Sequence, residues 1–122
     1  MNPVSGRGPG LALSWSEGET RRLLPLRPGR PLVLGRDADC DGVFAHQTVS
    51  RRHAMIYMKD GRAYLRPLSK VSPTWLGGRL VLGDAPLTAG DRLQLAIVSV
   101  DLISWDGPDG SSDENSELRE ES

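Results

Sequence analysis

A single cysteine, Cys40, cannot form an intrachain disulfide, and two histidines, His46 and His53, are too few for a zinc site built on Cys and His spacing. Aromatic residues are also scarce, with three Trp, two Tyr and one Phe. That is too few for the interleaved basic and aromatic surface on which single-stranded nucleic acid stacks. Long apolar runs are missing. The longest apolar-rich stretch, Leu93 to Ile103, is interrupted by Gln94, Ser99 and Asp101 and falls far short of the roughly 18 residues of a membrane span. Met1 to Gly10 has no apolar h-region, so no secretory signal is expected. The expectation is a soluble protein in a reducing cytoplasm. At 122 residues the chain has the size of one domain, because two halves would each be marginal without disulfides or metals.

Charge is unevenly distributed. Residues 106–122 hold seven acids against Arg119, a net of −6, whereas residues 1–105 hold fourteen bases and nine acids, a net of +5. The mildly basic body suits an anionic partner, but is too weakly basic to indicate nucleic acid by charge alone. Residues 1–10 include three Gly and two Pro, and residues 106–122 are almost wholly Asp, Glu, Ser, Gly, Asn and Pro. Both ends lack the apolar surface that would offset chain entropy. The expected organisation is therefore a flexible segment 1–10, a folded unit 11–105 and an acidic disordered tail 106–122.

Residues 11–105 read as short strands. Leu11, Leu13 and Trp15 alternate with Ala12 and Ser14, and Val98, Val100 and Leu102 alternate with Ser99 and Asp101. Further runs lie at Thr20–Leu26, Pro31–Arg36, Ala54–Met58, Arg62–Arg66, Pro73–Leu76, Arg79–Val81 and Arg92–Ala96. The adjacent pair Ile97-Val98 breaks the alternation and predicts a hairpin or bulge there. Asp60-Gly61 predicts a tight hairpin. Gly18-Glu19, Pro28-Gly29, Asp41-Gly42, Gly77-Gly78, Gly83-Asp84 and Gly90-Asp91 mark other turns. No long 3.6-residue period survives among the prolines. Nine or more short strands predict an all-β sandwich or barrel.

The catalytic patterns fail. Ser50 and His53 lie near Asp37, Asp39 and Asp41, but closeness in sequence is not a triad. There is no Gly-x-Ser-x-Gly elbow, P-loop or His-Glu-x-x-His. A calcium loop starting at Asp37 would need glutamate at its twelfth position, which is Thr48. No enzyme activity, metal or cofactor is expected. What remains is polar and basic loop chemistry. Gly35-Arg36 closes an apolar strand, Ser50-Arg51-Arg52-His53 precedes another, and Ser69-Lys70-Val71-Ser72 precedes Thr74. Loops at one end of a sandwich converge, and guanidinium, ammonium and hydroxyl donors together suit a phosphate dianion.

The motifs Leu34-Gly35-Arg36, Val49-Ser50-Arg51-Arg52-His53-Ala54, Pro73-Thr74-Trp75-Leu76-Gly77-Gly78 and Leu87-Thr88-Ala89-Gly90-Asp91-Arg92-Leu93 resemble, in order and spacing, those of the forkhead-associated (FHA) domain. The resemblance spans roughly residues 11–105. It implies an FHA-like β-sandwich of about eleven strands whose apical loops bind phosphothreonine peptides, hence a phosphoprotein partner. By the same resemblance, Gly35 is a structural glycine, Arg36 and Ser50 reach the phosphate, and Arg51 stands at a position often used for a polar or basic phosphate contact. His53 braces the loops from a buried position, Thr74 packs and hydrogen-bonds in its loop and is counted among the phosphopeptide-binding residues, and Gly78 completes a turn.

One loop departs from the family pattern. Ser72-Pro73-Thr74 replaces Asn-Gly-Thr, so Ser72 stands where an asparagine amide would clamp peptide backbone. Val71 stands where a hydroxyl would reach the phosphate, and Gly77-Gly78 replaces the second Asn-Gly. Lys70 is the one charged side chain in Ser69–Thr74 and is the candidate replacement donor. The same departure supports the alternative expectation, a scaffold that binds partners without reading phosphate.

Overall fold

A computed structural model describes residues 10–105, which form eleven strands in two sheets and no helix. The first sheet holds β1 (Gly10–Glu17), β2 (Thr20–Pro25), β7 (Thr74–Leu76), β8 (Arg79–Leu80), β10 (Arg92–Leu95) and β11 (Val98–Trp105). Their order across it is β2-β1-β11-β10-β7-β8. The second sheet holds β3 (Leu32–Gly35), β4 (Gly42–Val43), β5 (Ala54–Lys59), β6 (Arg62–Pro67) and β9 (Ala85–Leu87), in the order β4-β3-β5-β6-β9. The fold is an all-β sandwich. Most of segment 1–10 and all of the acidic tail 106–122 lie outside the described residues, although Gly10 already pairs with Trp105 in the first sheet.

Period-2 alternation builds the core. Leu13, Leu93, Leu95, Val100 and Leu102 point inward from one sheet and meet Leu32, Leu34, Ala54, Ile56 and Leu65 from the other, all buried. Trp15 and Phe44 close one side with ring centroids 4.7 Å apart. Burial of β1 is more extensive than its alternation predicts, since Ala12 and Ser14 are buried as well. β1 is an interior strand, and Arg21 lies across its outer face, donating from Nε to Ser14 Oγ at 2.8 Å.

The Asp60-Gly61 hairpin forms with both residues at positive φ, 52° and 78°, and joins Lys59 to Arg62. The break before Val98 is a two-residue turn at Ala96-Ile97, with Ala96 at φ 58°. Two strands have no signal in the sequence. β4 replaces the turn expected at Asp41-Gly42 and runs parallel to β3, where a Cβ on Gly42 would lie 2.6 Å from Leu34 Cδ2. β9 is three residues long, contains Pro86 and lies at a sheet edge, where a missing N–H is tolerated. Among the described residues no helix is long and apolar enough to cross a membrane.

Candidate functional site

Three connections meet at one end of the sandwich: the segment after β3, the loop before β5 and the loop between β6 and β7. Close backbone approach fixes the first two together. A Cβ on Gly35 would sit 2.1 Å from the Arg51 carbonyl oxygen, so only glycine lets the two segments touch here. Just beyond, the Arg36 amide donates to Ser50 O at 2.9 Å and the Asp37 amide to Arg51 O at 3.2 Å. The Arg36 side chain then donates from Nε to Val49 O at 2.9 Å. That bond uses one of five guanidinium N–H groups and leaves the four on the terminal nitrogens.

His53 ties the third connection to the others. Its side chain is fully buried. The Ser50 amide donates to His53 Nδ1 at 3.1 Å, so Nδ1 carries no proton. The proton must be on Nε2, which donates to Pro73 O at 2.9 Å. The ring is therefore a neutral strut between residues 50 and 73. Burial pushes its pKa below the usual histidine range, against the opposing influence of the Pro73 carbonyl. The His53 carbonyl accepts the Leu68 and Ser69 amides at 2.9 and 3.2 Å, which anchors the start of the third loop.

Ser69, named in the sequence only as part of a polar loop, organises the interior of that loop. Its Oγ accepts the Val71 and Ser72 amides at 3.1 and 3.0 Å. Both lone pairs are then occupied, so the Ser69 hydroxyl proton points to Ser50 Oγ, 2.7 Å away. Ser50 Oγ accepts this hydrogen bond, which leaves its own O–H for another acceptor. The signal available in the sequence is a serine two and three residues ahead of amides in a short polar loop, the pattern of a side chain that caps a turn.

The other sequence candidates separate by exposure. Arg51 and Lys70 are exposed and make no ion pair with another described residue. Arg52, by contrast, is paired with Asp39 at 3.1 Å. Ser72 is half-buried beside Lys70. Thr74 requires a correction: it is 1% exposed and its Oγ1 is buried without a partner, so it packs beneath the loop and offers nothing to a ligand. Gly78 serves the site at one remove. Gly77 and Gly78, at φ 58° and 84°, turn β7 back into β8, which returns residues 80–82 alongside the third loop. Cys40 lies behind Arg51, its thiol donating to Arg51 O at 3.2 Å, and burial pushes that thiol up, which keeps it protonated. No group of three or more metal-ligating side chains occurs among the described residues.

Comparisons with known proteins agree with this architecture. The FHA domain family model matches residues 32–96. The FHA domain of the CT664 protein from Chlamydia trachomatis superimposes with a TM-score of 0.72 at 21% identity, covering 79% of this chain and 98% of that one. A structure from a study of phosphothreonine-dependent FHA domain interactions gives a TM-score of 0.69 at 26% identity, covering 77% and 95%. The FhaA FHA domain complexed with the intracellular domain of Rv3910 gives 0.67 at 26% identity, covering 75% and 98%. No curated protein matches the chain.

Two outcomes follow from the loop geometry. Gly35→Ala forces a methyl against a backbone carbonyl, which cannot swing aside as a side chain could. It should cost at least about 1–3 kcal/mol, read as a drop in Tm of several degrees. For His53, the folded pKa lies below the unfolded value, so the unfolded chain takes up the proton first as pH falls. The strut's contribution is present above about pH 6.5 and is lost as pH falls through the folded pKa. His53→Gln should therefore be less stable than wild type by about 1–3 kcal/mol at pH 7.5. In chemical denaturation that gap should narrow below pH 6; a gap that widens would contradict the neutral strut.

Proposed function

The chain belongs to the FHA domain family, a family of protein-interaction modules, and on that premise we propose that it is a phosphothreonine-dependent peptide-binding module. The observation that supports this is a set of donor groups, on loops bonded to one another, with no carboxylate partner among the described residues. The terminal nitrogens of Arg36, the O–H of Ser50, and Arg51 and Lys70, which make no ion pair with a described residue, all belong to loops tied together through His53. A phosphate with −1.5 to −2 charge and three acceptor oxygens matches such a set. A relative 26% identical to this chain comes from work on phosphothreonine-dependent interactions, which supports the same reading.

The magnitudes are sufficient. Two or three charge-assisted hydrogen bonds at about 1.5–3 kcal/mol each supply most of a micromolar affinity, near −8 kcal/mol. Preorganisation helps, because Val49 O already holds the Arg36 guanidinium and Ser69 already orients Ser50. Lys70 is proposed to replace the hydroxyl that Val71 lacks. Ser72, whose amide is committed to Ser69, keeps its hydroxyl for peptide backbone. A reducing, cytoplasmic setting fits the buried Cys40.

Binding of a phosphothreonine peptide, compared with its unphosphorylated twin by calorimetry, tests the reading. Arg36→Ala and Ser50→Ala should each weaken binding by about 1.5–3 kcal/mol, at least tenfold, with the fold retained. Lys70→Met should weaken it less and reduce its salt dependence, because an exposed charge contact is screened. Equal binding of the two twins, or native affinity in a folded Arg36→Ala protein, would reject the phosphate site and leave the scaffold reading.

A further inference from the structure

Arg36, Arg51 and Lys70 are exposed on loops that hydrogen bonds fasten together at one end of the sandwich. Asp39 and Asp41, on the first of those loops, are already paired with Arg52 and Arg30 at 3.1 and 3.7 Å, which leaves Asp37 set against the three cations. The opposite end is closer to balance, because the β5–β6 hairpin carries Lys59 and Arg62 around Asp60. Acids that match the loop excess lie in residues 106–122. Residues 106–112 read Asp-Gly-Pro-Asp-Gly-Ser-Ser, a spacer composition. An acidic block follows, with Asp113, Glu114, Glu117, Glu120 and Glu121 against Arg119. β11 begins at the Ala96-Ile97 turn, where the Ala96 amide is bonded to Pro73 O, and ends at Trp105 beside Gly10, at the far end of the sandwich. A chain returning alongside β11 covers about 23 Å in seven extended residues, and about 10 Å more crosses from one sheet to the other. It reaches the loops after about seven to ten residues. That is where the acidic block starts.

We propose that residues 113–121 dock on the cations Arg36, Arg51 and Lys70 and compete there with the phosphothreonine peptide. The competition rests on the phosphopeptide reading above, whereas the docking does not need it. Tethering through a short spacer gives the acidic block an effective concentration of about a millimolar at the loops, so contacts that are individually weak suffice. A carboxylate brings one charge and two acceptor oxygens. A phosphothreonine brings −1.5 to −2 charge and three strong acceptors on one centre. The acidic block therefore yields to a phosphopeptide and keeps out acidic peptides that lack the phosphate. Exposed charge pairs of this kind are screened by salt, so both docking and competition fade as ionic strength rises.

The chain has two lysines, Lys70 in the loop cluster and Lys59 at the opposite end of the β5–β6 hairpin. Zero-length carbodiimide coupling joins a carboxylate to an amine only where the two touch, so it reports which end the acidic block occupies. In the full chain at low salt, with no peptide added, intrachain links from residues 113–121 to Lys70 should exceed those to Lys59 by at least about fivefold, and should be lost in about 0.5 M salt. Links to Lys59 in equal or greater yield, links only between two copies, or no link at all overturn the docking. A full-chain variant carrying Asp113→Asn, Glu114→Gln, Glu117→Gln, Glu120→Gln and Glu121→Gln measures the competition. It should bind a phosphothreonine peptide about two- to fivefold more tightly than wild type at low salt, and equally in about 0.5 M salt. Equal affinity at low salt, or a gain that persists at high salt, overturns the competition. A Lys70 link with no phosphothreonine binding by either chain would reject the phosphopeptide reading and the competition with it, while upholding the docking.

Discussion

A buried imidazole that must stay neutral governs the whole apical end. His53 accepts from Ser50 at Nδ1 and donates to Pro73 at Nε2, so each nitrogen has one role and a second proton would set two donors facing each other. Neither bonded group can be released cheaply, since a buried unpaired amide or carbonyl costs about 1–3 kcal/mol. Through these bonds the loop before β5 and the loop before β7 have a fixed spacing. Pro73 O also accepts the Ala96 amide at 2.9 Å, so the turn between β10 and β11 joins the same arrangement. The hydroxyls of Ser50 and Ser69 can meet only because that spacing is already set.

A second constraint is steric. Gly35 lets the Arg51 carbonyl approach β3 more closely than any side chain would permit, and three groups depend on that contact. The Asp37 amide and the Cys40 thiol both donate to the Arg51 carbonyl, while the Arg36 amide takes the neighbouring carbonyl of Ser50. The flexible arginine side chain therefore leaves a backbone that is bonded at every step. Rigid loop ends carrying few free donors are what a small anion site needs, because less side-chain entropy remains to be lost on binding.

Much of this was legible in the chain. Alternation and turn residues identified the sandwich and the Asp60-Gly61 hairpin because both depend on local φ preference and on period-2 burial. β4 and β9 were invisible because two or three residues carry no period, and their pairing is decided by neighbours distant in sequence. The burial of Ser14 was hidden for a related reason: Arg21, across the hairpin, covers it. At the site, Gly35, Arg36, Ser50 and His53 were named through the resemblance to the FHA pattern, which their order and spacing carry. Ser69 could not, because its role lies in which lone pairs are occupied, a property of the folded loop. Thr74 shows the converse: a polar residue in a motif position that turns out to be packed rather than presented.

The placement of acids divides the bases of the sandwich into paired and unpaired ones. Asp39 pairs with Arg52, Asp41 with Arg30, Asp84 with Arg66, Asp101 with both Arg21 and Arg92, and Glu17 with Arg22. These surface pairs are worth little individually, about 0–1 kcal/mol. Their larger consequence is to neutralise the flanks of the sandwich. Arg36 is instead oriented by a carbonyl, which fixes the guanidinium without cancelling its charge. Arg51 and Lys70 have no carboxylate partner among the described residues. Among the described residues, Arg36, Arg51 and Lys70 thus carry charge that no ion pair offsets, which follows from where the carboxylates were spent as much as from where the bases stand.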